Sequence, residues 1–238
     1  MTITDITPAT IITDESKLGV RSREVDAITD NERLRNTIYK IKQTIKANNL
    51  TALSAVQIGE EWEFKDRYKD KEEEVIENCP PRIFCIKFGD TIRTFIDPII
   101  SNAKGLSLSR EKCSCYPNRE FIRVRNNDIT MTYLTPMNKV ESTHLVGKAA
   151  FVAQHQIDHL DGVTLAELGL EIFDDFDQAS EEERQQIIDM YLESLDLKLK
   201  DLKKQIEEDE TLSQTNNAIE FMEKVQKGEI EFENDTQK

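Results

Sequence analysis

No stretch of this chain is apolar for long enough to cross a bilayer, and its first residues lack the basic-then-apolar order of a secretory signal. Basic side chains are in deficit: 31 Lys and Arg stand against 46 Asp and Glu, for a net charge of −15 and a pI near 4.8. That balance repels nucleic acid and anionic lipid, so neither is an expected partner. Cysteine is scarce, with Cys79, Cys85, Cys113 and Cys115 in a spacing that builds no zinc ribbon. Nothing in their number calls for an oxidising compartment. The expectation is a cytoplasmic protein in which Cys79 and Cys85 are free thiols. Hydrophobic residues make up only 38% of the chain and the mean hydropathy is −0.56, so some residues are expected outside the core.

What charge there is sits unevenly. Residues 174–238 carry 20 acidic and 8 basic side chains, a net of −12, and the preceding residues carry the remaining −3. The chain therefore divides into a nearly balanced domain, 1–173, and an acidic helical tail, 174–238, expected to be partly disordered when alone. In the first part, Leu34, Ile38, Ile41 and Ile45 recur at helical spacing and predict a helix over 31–48, with Asp30 as its N-cap. Residues 53–59 read as strand or loop. Residues 60–80 read as a charged, exposed insertion in which Trp62 is a lone apolar anchor. Strands are predicted at 82–88, 91–96 and 128–134 from their β-branched and aromatic content, and a second helix at 147–160. The sum is an α+β domain.

In the tail, Ser180 to Glu183 forms a capping box. Ile188, Leu192, Leu195, Leu199, Leu202 and Ile206 follow in steps of four and three, an a/d seam. Two readings stay open: a helix packed on its own domain, or a docking helix through residues 181–207 for a protein partner or a second copy. Ile219, Phe221, Met222 and Val225 hint at one more short helix.

The chemistry concentrates in Gln154-His155-Gln156-Ile157-Asp158-His159-Leu160. Histidines at i and i+4 share a helical face and can reach one metal ion. A metallohydrolase of this pattern carries Glu after the first His as the proton-transferring base. Here that residue is Gln156, whose amide accepts no proton at neutral pH. A third ligand is needed, and Cys113 in Glu111-Lys112-Cys113-Ser114-Cys115 is the best candidate. One thiolate and two imidazoles make a tetrahedral site with one open position, suited to one divalent ion, Zn²⁺ or Fe²⁺. Glu111 reads as structural, ion-paired with Arg125. Cys115 reads as a small buried side chain, and His144 as exposed near a turn.

These residues resemble the peptide deformylase family, whose three motifs run G-x-G-L-A-A-x-Q, E-G-C-L-S and Q-H-E-x-D-H-L. The third matches from Gln154 to Leu160, the second keeps Glu111 and Cys113, and the first keeps Leu53, Ala55 and Gln57. Phe95-Ile96-Asp97-Pro98 is similar to a family strand ending in Asn-Pro. The resemblance covers residues 10–173. It implies antiparallel sheets around a central metal-binding helix, with the acidic helical extension added. It implies metal ligands Cys113, His155 and His159, and metal-bound water as nucleophile. Gln57 and the Ser114 N–H would stabilise the oxyanion of an N-formylmethionyl peptide, although plain packing is an equal reading of Gln57. Gln156 stands at the position of the catalytic Glu. Leu50 and Ala52 replace glycines that line the family's cleft, and would narrow it. Two functions follow as expectations. One is a metallohydrolase of this type with activity reduced or lost. The other is a non-catalytic, partner-binding descendant that uses its heptad helix.

Overall fold

The computed structural model describes residues 7–25, 31–59, 79–173 and 176–208. Asp30, Trp62, most of the charged stretch after Gly59 and residues 211–238 lie outside them. Within them the order is β1 (Thr10–Ile11), α1 (Asn31–Ala47), β2 (Ala52–Ser54), β3 (Ile58–Gly59), β4 (Ile83–Phe88), β5 (Thr91–Glu111), β6 (Glu120–Leu134), β7 (Val140–Val146), α2 (Lys148–Leu160), α3 (Leu165–Leu168), β8 (Leu170–Ile172) and α4 (Glu181–Glu208). This is the expected α+β arrangement, with antiparallel strands around the helix that carries both histidines.

The main sheet runs β2-β4-β5-β6-β7, and β8 pairs with the start of β6. The long strands β5 and β6 are its spine. Thr91–Ile96 of β5 pair with β4, and the strand from Ile96 to Glu111 pairs with β6. The three predicted strands are present, but β5 and β6 run far past their predicted bounds. Asp97 has φ 45° and Pro98 follows it, and the register shifts between Ile96 and Ile99. A proline and a left-handed residue look like a strand end, yet here they form a bulge that bends the strand and lets it continue. β7 was not predicted at all. His144 therefore lies on a strand, not near a turn. It is exposed, and its Nε2 is 2.8 Å from Asp128.

Three apolar clusters hold the elements. Leu34, Ile38, Ile41 and Ile45 of α1 are buried against Leu53, Ile83, Cys85 and Ile96, as their spacing predicts. α2 lies on the other cluster, with Ala150, Ala153, Ile157 and Leu160 against Phe84, Phe95, Phe121 and Met131. Its exit is tight. Gly162 has φ +71°, and a Cβ there would stand 2.9 Å from the backbone of Gly19 and Val20, so only glycine lets the N-terminal segment cross.

The third cluster answers part of the question about the tail. Tyr191, Leu192 and Leu195 of α4 pack with Leu106, Ile122, Val124 and Ile172 of the sheet. Tyr191 Oη donates to Leu168 O at 2.9 Å. The capping box forms as read: Ser180 Oγ accepts from Glu183 N, and the Glu183 carboxylate accepts from Ser180 N. The first half of the seam thus rests on the chain's own sheet. Ile187, Met190 and Leu197 remain exposed on α4. No helix among the described residues is long and apolar enough to cross a membrane.

Asp97 accepts from Val25 N at 3.1 Å, and burial pushes its carboxyl up to about 6 against an ordinary 3.8. A carboxyl raised in the folded state favours the protonated form. Its ionisation costs stability above about pH 6, and the cost disappears as pH falls toward 4. Asp97→Asn keeps the acceptor and removes the charge. It is expected to stabilise the protein at pH 7.5 by roughly 1 kcal/mol, after allowance for the half-exposed position, and by nothing near pH 4. Urea unfolding at the two pH values measures the difference.

Candidate metal centre

α2 presents a buried polar face. Gln154 comes first: its Nε2 donates to Asn126 O at 2.7 Å, and its Oε1 accepts from Asn126 N at 2.9 Å. Those two bonds replace a strand partner for Asn126 and dock α2 onto β6. The next residue, His155, is also buried, and His159 follows one turn later on its face with ring centroids 5.0 Å apart. Cys113 arrives from the loop after β5. Its Sγ lies 3.3 Å from His159 Nε2. The ligand atoms of Cys113, His155 and His159 all lie within 4.8 Å of one another, and all three residues are buried.

His155 Nδ1 lies 2.7 Å from the Glu111 carboxylate. A carboxylate only accepts, so Nδ1 carries the hydrogen and Nε2 is left for the centre. Glu111 is in turn gripped by Arg125, through Nε at 2.7 Å and Nη2 at 3.0 Å. Arg125 also pairs with Asp158, which sits on α2 between the two histidines. Burial alone would raise the Glu111 carboxyl. The hydrogen bond from His155 and the Arg125 guanidinium overcome it and hold the group well below the usual range. Burial opposes a charge on His155 as well, but the Cys113 sulfur and the Glu111 carboxylate push it up to about 10. A proton therefore competes with a cation for this imidazole, and metal uptake releases protons.

Gln57 lies in a single 3₁₀ turn after β2. Its Oε1 accepts from Ser54 N at 2.9 Å and from Ser54 Oγ at 3.1 Å, which sets the amide's orientation. Its Nε2 then faces two sulfurs, Cys113 Sγ and Cys115 Sγ, each at 3.4 Å. An amide nitrogen has two hydrogens, and both are engaged. Ser114 is half-buried in the turn closed by Tyr116 N to Cys113 O at 3.0 Å. Gln156 is buried at 4% exposure, and its Oε1 has no hydrogen-bond partner among the described residues. His159 Nδ1 is likewise without one.

The structure thus gathers Cys113, His155, His159 and Gln57 into one region, with Ser114 beside Cys113, and buries Gln156 on the helix that bears the histidines. Leu50 instead packs against the α1 cluster, and Ala52 against the cluster beneath α2. The expected Glu111–Arg125 pair is present. Three contacts are not legible in the residue pattern: the bond from Glu111 to His155, the pairing of Asp158 with Arg125, and the approach of Cys115 to the Gln57 amide. The placement of Asp158, though not its partner, did carry a signal: at i+3 from His155 it shares that helical face. A donor set of one sulfur and two imidazole nitrogens, with one imidazole oriented by a carboxylate, fits a divalent ion of the zinc or iron type.

Comparison with known proteins agrees with this geometry. The model of the polypeptide deformylase family matches residues 8–168. A peptide deformylase of Natranaerobius thermophilus is 30% identical over 162 residues, covering 67% of this chain and 90% of that one. One from Dictyoglomus turgidum is 24% identical over 154 residues, covering 65% and 87%. Among solved structures, the Thermotoga maritima peptide deformylase superposes with a TM-score of 0.55 at 23% identity, over 68% of this chain and 97% of that one. The enzyme of a Vibrio parahaemolyticus bacteriophage, solved with actinonin, gives 0.52 at 24% identity, over 65% and 98%.

Two outcomes follow from the buried charges. Arg125→Met leaves Glu111 facing no cation but His155, and is expected to cost about 3–5 kcal/mol of stability in urea unfolding. Glu111→Gln keeps the size but weakens the grip on His155. Zinc affinity, read by competition with a chromophoric chelator, is expected to fall about 10–100-fold.

Proposed function

Because the chain belongs to the polypeptide deformylase family, we propose that it is a deformylase-type metal protein of the cytoplasm whose turnover of N-formylmethionyl peptides is reduced or lost. Cys113, His155 and His159 would hold one divalent ion, Fe²⁺ or Zn²⁺. When bound, such an ion polarises a carbonyl oxygen and acidifies water. The chain's own residues do the rest. Arg125 and Asp158 steady Glu111, and Glu111 keeps His155 in the tautomer that offers Nε2. Ser114 N–H would face the oxyanion, while Gln57 must turn from a sulfur before it could help.

The single observation that carries the proposal is Gln156. Deformylation needs a group that takes a proton from the attacking water and returns it to the departing amine. A buried amide with an unpartnered oxygen does neither. General acid–base groups contribute ~10²–10⁴ in rate, and one that works in both directions belongs near the top of that range.

A second reading draws on α4. Ile187, Met190 and Leu197 are exposed on a helix whose opposite face is already packed. Residues 181–207 would then serve a non-catalytic protein that engages a partner or a second copy. Met190→Glu with Leu197→Glu in the full chain, followed by sedimentation, tests self-association: a fall in mass supports it, and an unchanged monomer removes it.

The catalytic reading is tested with a formyl-Met peptide at matched, quantified metal occupancy. Gln156→Glu is expected to turn over at least ~10² faster than the protein as it stands. Equal rates would sink the assignment of the loss to Gln156. Actinonin binding, measured beside it by calorimetry, reports on the cleft without requiring turnover.

A further inference from the structure

Cys115 has no role in the site described so far, yet it is 1% exposed and its sulfur lies 3.4 Å from the Gln57 amide nitrogen. Its Sγ and that of Cys113 approach the same Gln57 Nε2, each at 3.4 Å, and the two thiols interact with each other. Both cysteines belong to the turn closed by Tyr116 N to Cys113 O. Cys113, His155 and His159 form the tight group, and Cys115 adjoins it through Cys113.

We propose that Cys115 is a second thiolate ligand of this metal centre, converting an open three-ligand site into a closed site of two cysteines and two histidines. The inference rests on the reading that Cys113, His155 and His159 hold a divalent ion.

Three observations point the same way. First, charge: a divalent ion with one thiolate carries +1, and Gln156 brings no carboxylate to offset it. A second thiolate supplies the missing negative charge. Second, the amide of Gln57 is locked by Ser54 with both hydrogens toward the two sulfurs. Donors aimed at sulfur are what metal-bound thiolates require around them. Third, closure and loss of the base are coherent: a site whose fourth position is filled has no use for a proton-transferring residue. Structural zinc sites are closed in this way, and catalytic ones keep a position open. Cys115 Sγ lies outside the tight group, so coordination requires this side chain to move toward Cys113.

X-ray absorption at the zinc edge of the zinc-loaded, full-length protein counts the sulfurs directly. Two sulfurs at about 2.3 Å with two nitrogens at about 2.0–2.1 Å are expected. One sulfur in that spectrum overturns the inference, and this count needs no variant. With cobalt(II) in place of zinc, Cys115→Ser is expected to reduce the thiolate-to-metal charge-transfer band to about half, as two thiolates become one. An unchanged band in a folded variant overturns it as well. Because Cys115 competes with water for the ion, the gain from Gln156→Glu should grow when Cys115→Ser is added. The two readings fail separately. One sulfur together with a large gain from Gln156→Glu removes the inference and keeps the catalytic reading. Two sulfurs with no gain in either background do the reverse.

Discussion

The buried guanidinium of Arg125 is the constraint on which the site depends. A charge at 3% exposure persists only if its surroundings neutralise it, because desolvation costs several kcal/mol per ion. Arg125 sits on β6, Glu111 ends β5, and Asp158 lies on α2. Pairing all three ties the two spine strands to the helix that bears the histidines. The same pairing leaves a lone pair on Oε2 of Glu111 free to face His155. A stabilising ion-pair network and the orientation of a ligand are therefore one structure.

Counting charges shows why the centre suits either a proton or a metal. Arg125 and Arg123 together offset Glu111 and Asp158, so this group is neutral overall. Burial opposes a proton on His155, but the Cys113 sulfur and the Glu111 carboxylate push its imidazole up to about 10. A divalent ion with the Cys113 thiolate brings a charge of +1 to the same place and displaces that proton. A glutamate at position 156 would add one negative charge to this set; the amide of Gln156 adds none. The replacement changes both the proton chemistry and the electrostatic balance, and Cys115 is the nearby group able to restore the latter.

The helix α2 shows how few residues position such a centre. Gln154 bonds to both backbone groups of Asn126 and sets the helix's depth on the sheet. Gly162 lets the N-terminal segment cross at its exit. Between these two points, a 3.6-residue repeat puts His155, Asp158 and His159 on the side facing β5 and β6. The sequence motif is thus a packing motif as much as a chemical one.

By itself the sequence determined the helices α1, α2 and α4, the three metal-type side chains and the family, because helical periodicity and i,i+4 spacing are local properties read within a few residues. It also determined that Gln156 is not a base, since that depends on the side chain alone. The lengths of β5 and β6 escaped it: at Asp97–Pro98 the local signal says stop, and only pairing with β6 across the bulge carries the strand on. Three further points were decided by the tertiary structure alone. Glu111 faces His155, the first half of the α4 seam lies on its own sheet, and Cys115 meets Cys113 at the nitrogen of Gln57. Each is a contact between segments whose mutual orientation no local pattern encodes. Long-range packing around one buried arginine sets the first, and the path of the chain across the sheet sets the others.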